Sequence, residues 1–100
     1  MRLTSAQVEA IQKATTDIFG PEAQVWLFGS RVDDNRRGGD IDLMIDNHNL
    51  GGQSLARAKI RFLSRLKMLL GDQRIDLITT TEAGGALPIH QVARKTGVRL

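Results

Sequence analysis

The spacing of apolar residues along the chain predicts three helices. The first opens at Thr4, where Gln7 three residues later completes a capping box, and it ends at Gly20. The second and longest covers residues 53–70 and carries a continuous apolar stripe. A short third helix begins at Pro88, since proline suits the first turn of a helix. We expect its buried side to consist of Ile89, Val92 and Ala93.

Three short segments between the helices have the composition of β-strands. Residues 25–28 and 74–79 are mostly apolar runs, which are typical of buried strands. Residues 40–46 instead alternate with a period of two, as in a strand that is covered on one face only. We therefore expect Asp40 and Asp42 to point to an uncovered face of the sheet.

The order of these elements predicts an α/β (α+β) fold in one domain that spans residues 1–100. The long second helix is suited to a parallel crossover between two strands, whereas residues 31–39 suit an antiparallel turn. The expected architecture is a small mixed sheet of three to four strands, with helices packed mainly on one face.

Composition narrows the class of protein. With 41% hydrophobic residues, a chain of 100 residues can bury a core of its own. The absence of cysteine favours a cytoplasmic protein, and no segment has the length of a membrane span or the apolar stretch of a secretory signal. A net charge of +3 suggests anionic partners, but the few aromatic residues fit core positions, which disfavours nucleic acid. We expect His48 and His90 at the surface.

Three aspartates on the predicted strands form the first half of a candidate site. Asp40 and Asp42 project to one face, about 6.6 to 7 Å apart at the backbone, and Asp76 lies in the neighbouring strand. Adjacent carboxylates repel one another unless a cation compensates, and carboxylates without histidine or cysteine favour Mg²⁺ or Mn²⁺ over zinc. Asp46 lies too far along the strand and is interpreted as solvated. The alternative is that the whole strand face is merely solvated.

The second half of the candidate site follows the first strand. Gly29 allows close approach of the backbone to a ligand, and the Ser30 hydroxyl with the N–H groups of the turn can hold phosphate oxygens. Arg31 adds a positive charge. A Gly-Ser pair alone is usually an ordinary turn. Beside a carboxylate-bound metal pair, however, a phosphate cradle is the machinery of phosphoryl or nucleotidyl transfer.

The order of these motifs resembles a known family. FGSRVDDNRRGGDIDLMID (28–46) followed by RIDLIT (74–79) is similar to the minimal nucleotidyltransferases of the DNA polymerase beta superfamily, whose pattern is Gly-Ser, a spacer, Asp-x-Asp and a third Asp on a later strand. The resemblance covers nearly the whole chain, because PIHQVARKTGVRL (88–100) is similar to the family's C-terminal helix. Residues 31–35 depart from the family, since members often carry a glycine there.

The resemblance implies a nucleotidyltransferase fold and an enzyme that uses ATP as a co-substrate. It also implies a metal site that holds two Mg²⁺ ions, which Mn²⁺ can replace. It implies that Asp40 and Asp42 are metal ligands and that Asp76 is the remaining ligand and the general base. Such proteins are typically encoded beside a HEPN-type ribonuclease toxin. The implied function is therefore that of an antitoxin that transfers AMP to a tyrosine of this partner. The nucleotide-binding residues would be Gly29, Ser30 and Arg31.

Other functions fit the same residues. The chain could be a binding module that retains the fold mainly to mask a partner, or a transferase for small molecules of the aminoglycoside type. The latter is less favoured, because 100 residues leave no second domain to shape an acceptor pocket. A stripe of Arg57, Arg61 and Arg65 on the second helix is either a solvated face or a contact for triphosphate, RNA or an acidic partner. We expect a homodimer or a hetero-oligomer, because a partner would complete the open sheet face.

Overall fold

The computed structural model describes residues 3–29, 40–46, 48–71, 73–80 and 88–100. These residues form three helices and a four-stranded mixed sheet, which confirms the predicted α/β class. Within the same ranges, no helix combines the length and the apolar character that crossing a membrane requires. In chain order the elements are α1 (Ser5–Phe19), β1 (Gln24–Phe28), β2 (Ile41–Asp46), α2 (Leu55–Leu70), β3 (Ile75–Thr79), α3 (Pro88–Thr96) and β4 (Val98–Arg99).

Side-chain caps fix where the two long helices begin. At α1 the Thr4 hydroxyl accepts the Gln7 N–H at 3.1 Å, and the Gln7 side chain accepts the Thr4 N–H at 2.8 Å. This arrangement confirms the predicted capping box. Ser54 caps α2 by accepting the Arg57 N–H. Because Ser54 is the cap, α2 begins after it rather than at residue 53, where the apolar pattern placed the start.

The sheet has the strand order β3-β2-β1-β4. β1 and β2 are antiparallel, and β2 and β3 are parallel with α2 as the crossover, as the lengths of the connections predict. The fourth strand pairs with β1 through Trp26 and Arg99 and through Leu27 and Val98. A strand of two residues is too short to give a periodic signal in the sequence.

The main core lies between α1, α2 and one face of the sheet. Ile41, Leu43 and Ile45 of β2 are fully buried on this face. The rings of Phe19 and Phe62, one from each helix, meet edge to face in the same core with their centroids 5.3 Å apart. The predicted alternation of β2 is therefore confirmed, and its aspartates face away from α1 and α2.

The opposite face of the sheet is partly covered by α3, which corrects the expectation of an open face. Phe28, Met44 and Ala93 form a second buried cluster on this side, and Trp26 and Ile78 pack against it. On the face of β2 that carries the aspartates, Met44 is the one apolar residue. The sequence pattern of this strand therefore gave little indication that a helix covers this face.

α3 also buries a different side from the one predicted. Its buried residues are His90 and Ala93, so the expected surface position of His90 is wrong. Ile89 and Val92, expected inside, are 43% and 50% exposed. A side chain on Gly97, just beyond the helix, would collide with backbone oxygens, including one of β1. The buried side of α3 is therefore formed by His90 and Ala93, and the larger aliphatic residues are turned outward.

Asp46 links α3 to the sheet and is not simply solvated. Its carboxylate accepts the Thr80 hydroxyl at 2.9 Å and lies 3.4 Å from a terminal nitrogen of Arg94 on α3. The Asp46 side chain is half-buried in this position. The last aspartate of β2 therefore has a structural role, which distinguishes it from the aspartates at the start of the strand.

Candidate active site

Two adjoining strands bring the predicted aspartates to one part of the sheet. In the parallel pairing of β2 with β3, Asp42 lies opposite Asp76. Asp40 immediately precedes β2, and the alternation of side chains assigns it to the same face as Asp42. This face is the one turned away from α1 and α2. The three predicted metal ligands are therefore neighbours, although they come from distant parts of the sequence.

Gly29 packs against the Asp42 carboxylate. β1 ends at Phe28, which is paired in register with Asp42, and Gly29 continues the chain with a φ of 76°. A Cβ atom on this glycine would overlap a carboxylate oxygen of Asp42 and lie 3.2 Å from its Cγ. The missing side chain thus makes room for the carboxylate, and the positive φ is a second reason for glycine at this position.

The Asp42 carboxyl lies in an environment that disfavours its charge. Burial raises its pKa, repulsion by Asp76 and then by Asp40 raises it further, and a hydrogen bond with the Asp76 side chain acts in the same direction. Arg74 alone among these influences lowers the pKa. The cluster therefore favours a bound proton or another cation.

Arg74 is a member of this cluster that the sequence analysis did not single out. Its Nε lies 3.5 Å from a carboxylate oxygen of Asp40 and 3.8 Å from one of Asp76. The Arg74 carbonyl accepts the Ile41 N–H at 3.0 Å, which places the arginine beside the start of β2. A signal was available in the sequence: Arg74 stands two residues before Asp76 and so belongs to the same strand face.

The described residues contain most of the predicted site. Gly29 and the three aspartates are brought together at the adjoining ends of β1, β2 and β3. Ser30 and Arg31, the other two predicted nucleotide-binding residues, lie outside the described residues. Their contact with phosphate therefore stays a prediction.

The donor chemistry of the cluster fits a hard divalent cation. Asp40, Asp42 and Asp76 offer carboxylate oxygens only, and positive charge reduces their mutual repulsion. In the part of the chain that the structure describes, no three His, Cys, Asp or Glu side chains are arranged so that they could hold a metal ion. Arg74 instead lies between two of the aspartates. By donor chemistry, the three carboxylates are the residues that would hold Mg²⁺.

A cleft of about 710 Å³ lies at the other end of β2, away from the aspartate cluster. It is lined by residues 19–22 and 48–50, among which Glu22 is the only carboxylate. Its volume suits a small ligand, but its lining contains a single carboxylate rather than a cluster of carboxylates. A cluster of carboxyl groups in which the Asp42 pKa is raised is the stronger indication of chemistry, so we assign the candidate active site to the aspartates.

The contribution of Asp42 to the free energy of unfolding is expected to fall as the pH rises. A raised pKa means that the folded protein holds the Asp42 proton more tightly than the unfolded chain does. The stabilisation is complete below the ordinary aspartate pKa of 3.8 and is lost as the pH rises through the folded-state pKa. Urea unfolding from about pH 4 to about pH 7 should show a steeper decline in the wild type than in Asp42→Asn. Parallel profiles would contradict this account.

The comparisons with known proteins do not identify a family for this chain. No family model matches the chain, and no curated protein matches its sequence. The resemblance to minimal nucleotidyltransferases, carried by Gly-Ser at 29–30, Asp-x-Asp at 40–42, Asp76 and the segment 88–100, therefore stays a prediction from the sequence. A functional assignment for this chain depends on these motifs and on the side chains that β2 and β3 bring together.

Proposed function

We propose that the protein is a Mg²⁺-dependent nucleotidyltransferase that transfers AMP from ATP to a hydroxyl group of a partner protein. The observation that carries this proposal is the pairing of Asp42 with Asp76 across β2 and β3, with Gly29 packed against Asp42. The order of the motifs in the sequence supports the same reaction. The family resemblance points to a HEPN-type ribonuclease toxin as the acceptor and to an antitoxin role.

The aspartates have separate roles in the proposed reaction. Asp40 and Asp42 would hold the metal, and Asp76 would complete the ligand set. When bound, Mg²⁺ supplies charge neutralisation for the triphosphate and for the pyrophosphate that leaves. An Asp76 carboxylate oxygen accepts the proton of the attacking hydroxyl, whose oxygen bonds to the α-phosphorus as the bond to pyrophosphate breaks. Asp76 suits this role because its side chain is half exposed on an edge strand, where an acceptor can reach it.

A labelling experiment tests the proposed reaction. The purified protein and any chain that co-purifies with it are incubated with Mg²⁺ and with each nucleoside triphosphate labelled at the α-phosphate. We expect label from ATP to become attached to a protein and EDTA to prevent the attachment. ATP labelled at the γ-phosphate is the control, because its label leaves with pyrophosphate. Transfer of the γ-label would indicate a kinase, and absence of transfer from every α-labelled triphosphate to the co-purifying partner would reject the proposal.

The exposed side of α2 favours a second candidate function, a binding module that masks its partner. Ile60 and Met68 are 65% and 87% exposed, and Arg57 and Arg61 are exposed on the same helix. Exposed apolar residues beside arginines are typical of a protein-binding surface. The Asp42→Asn variant separates the two functions. Undiminished neutralisation of the partner by this variant, without transfer, would favour masking over catalysis.

A further inference from the structure

Arg74 and the three aspartates form an array of four charged side chains on one face of the sheet. Asp42 and Asp76 are paired in the parallel ladder of β2 and β3. The hydrogen bond from the Ile41 N–H to the Arg74 carbonyl extends this register by one position, so that Arg74 lies beside Asp40. The array therefore takes two residues from the start of each strand, with Asp40 and Arg74 directly preceding β2 and β3. Three of its members carry negative charge and one carries positive charge.

The contacts that Arg74 makes are suited to exchange. Its Nε approaches the carboxylates of Asp40 and Asp76 at 3.5 and 3.8 Å, which is longer than a close charge-assisted hydrogen bond. The Arg74 side chain is 76% exposed, and both aspartates are partly exposed. Ion pairs between exposed groups contribute little to stability. Another cation can therefore displace Arg74 from the carboxylates, and another anion can displace the aspartates from the guanidinium.

The guanidinium group has opposite effects on the two ligands of a nucleotidyltransferase. Its positive charge opposes the approach of a divalent cation to Asp40 and Asp76. Its planar fork of N–H donors, in contrast, matches the oxygens of a phosphate group. Arg74 should consequently weaken the binding of a metal ion alone and strengthen the binding of a triphosphate.

We propose that Arg74 controls the loading of this site by holding Asp40 and Asp76 in the metal-free protein and by binding the triphosphate once the metal has taken the aspartates. This inference rests on the proposed function and deepens it. This exchange of partners couples the binding of the metal to the binding of the triphosphate. A metal ion displaces the Arg74 guanidinium from the aspartates, and the guanidinium then binds the phosphate groups that arrive with the metal. The protein accordingly favours the metal–nucleotide complex over the metal alone.

Binding measurements on Arg74 variants test both effects. Mn²⁺ alone is titrated against the protein, and free Mn²⁺ is followed by electron paramagnetic resonance. A non-hydrolysable ATP analogue, with a methylene bridge between the α- and β-phosphates, is then titrated by calorimetry at saturating Mn²⁺. We expect Arg74→Gln to bind Mn²⁺ about threefold to tenfold more tightly than the wild type and to bind the analogue about tenfold more weakly. Circular dichroism establishes that each variant is folded.

Two further variants separate the charge of Arg74 from its shape. Arg74→Lys retains the positive charge but loses the planar fork, so we expect wild-type affinity for Mn²⁺ and weaker binding of the analogue. Lys13→Gln makes the same change of charge as Arg74→Gln on α1, which packs on the other face of the sheet. It is the matched control, and we expect it to bind both ligands as the wild type does.

The outcomes distinguish this inference from the proposed function. If the wild type shows no saturable binding of Mn²⁺, either alone or together with the analogue, the proposed function and the role of Arg74 are both overturned. If the wild type binds Mn²⁺ and the analogue, but Arg74→Gln binds both with unchanged affinity, Arg74 does not control loading and the proposed function stands. A loss of affinity for both ligands in a folded Arg74→Gln protein also overturns the exchange, because it would mean that the arginine only supports the aspartates.

Discussion

Replacing Asp42 by Asn is expected to abolish nucleotidyl transfer without weakening the fold. The reaction should slow by about a thousandfold or more, equivalent to about 4 kcal/mol, because a ligand of the metal is lost. The melting temperature should stay constant or rise, since Asn removes a charge that burial, Asp76 and Asp40 all disfavour. Both quantities can be measured on one preparation, by transfer of α-phosphate label and by calorimetry. Lower activity with unchanged or higher stability is typical of a functional carboxylate.

Asp46→Asn is the matched control for this variant. Asp46 lies on the same strand and the same face as Asp42, but its contacts are the Thr80 hydroxyl and Arg94 of α3. We expect wild-type transfer and a loss of up to about 1 kcal/mol of stability, because the ion pair to Arg94 is lost. The reverse pattern, with Asp42→Asn active but less stable, would show that Asp42 serves the fold rather than catalysis.

Replacing Gly29 by Ala is expected to reduce transfer by about tenfold to a hundredfold. Alanine disfavours a φ of 76°, and its Cβ would overlap the Asp42 carboxylate, so that carboxylate must move. Displacement of a catalytic group by about 1 Å can cost about a hundredfold in rate. The left-handed backbone should also cost about 1 to 2 kcal/mol of stability. Urea unfolding and the rate of label transfer measure the two effects separately.

Gly71→Ala separates backbone strain from the contact with Asp42. Gly71 ends α2 with a φ of 81°, close to that of Gly29, but an added Cβ would have no neighbour within 4 Å among the described residues. This variant should lose a similar amount of stability to Gly29→Ala and retain wild-type transfer. If both variants transfer AMP equally well, the packing of Gly29 against Asp42 does not position the carboxylate.

The features that follow from local sequence were predictable. The capping box of Thr4 and Gln7 depends on neighbours along the chain, and the alternation in β2 assigns Ile41 and Leu43 to the core without any other information. The grouping of the aspartates also followed from the sequence, because a helix of the length of α2 between two strands predicts a parallel crossover that brings Asp76 beside Asp42.

The features that depend on how elements meet were not predictable in the same way. The close approach of the chain to β1 at Gly97 determines which side of α3 is buried. The apolar pattern of the helix alone predicted that Ile89 and Val92 would be buried. The contact of Gly29 with Asp42 depends on the register between β1 and β2, which the sequence does not specify across the long connection. The role of Arg74 depends likewise on its neighbours in β2.

The crowding of carboxylates at the start of β2 affects how the protein would respond to selection in the laboratory. In a library selected only for survival of heating, uncharged residues should accumulate at position 42, because they remove a charge that the folded state disfavours. They should not accumulate at position 46, where the charge is paired with Arg94. Deep sequencing of the heat-selected pool would therefore identify the functional carboxylate before the nucleotide or the acceptor is known.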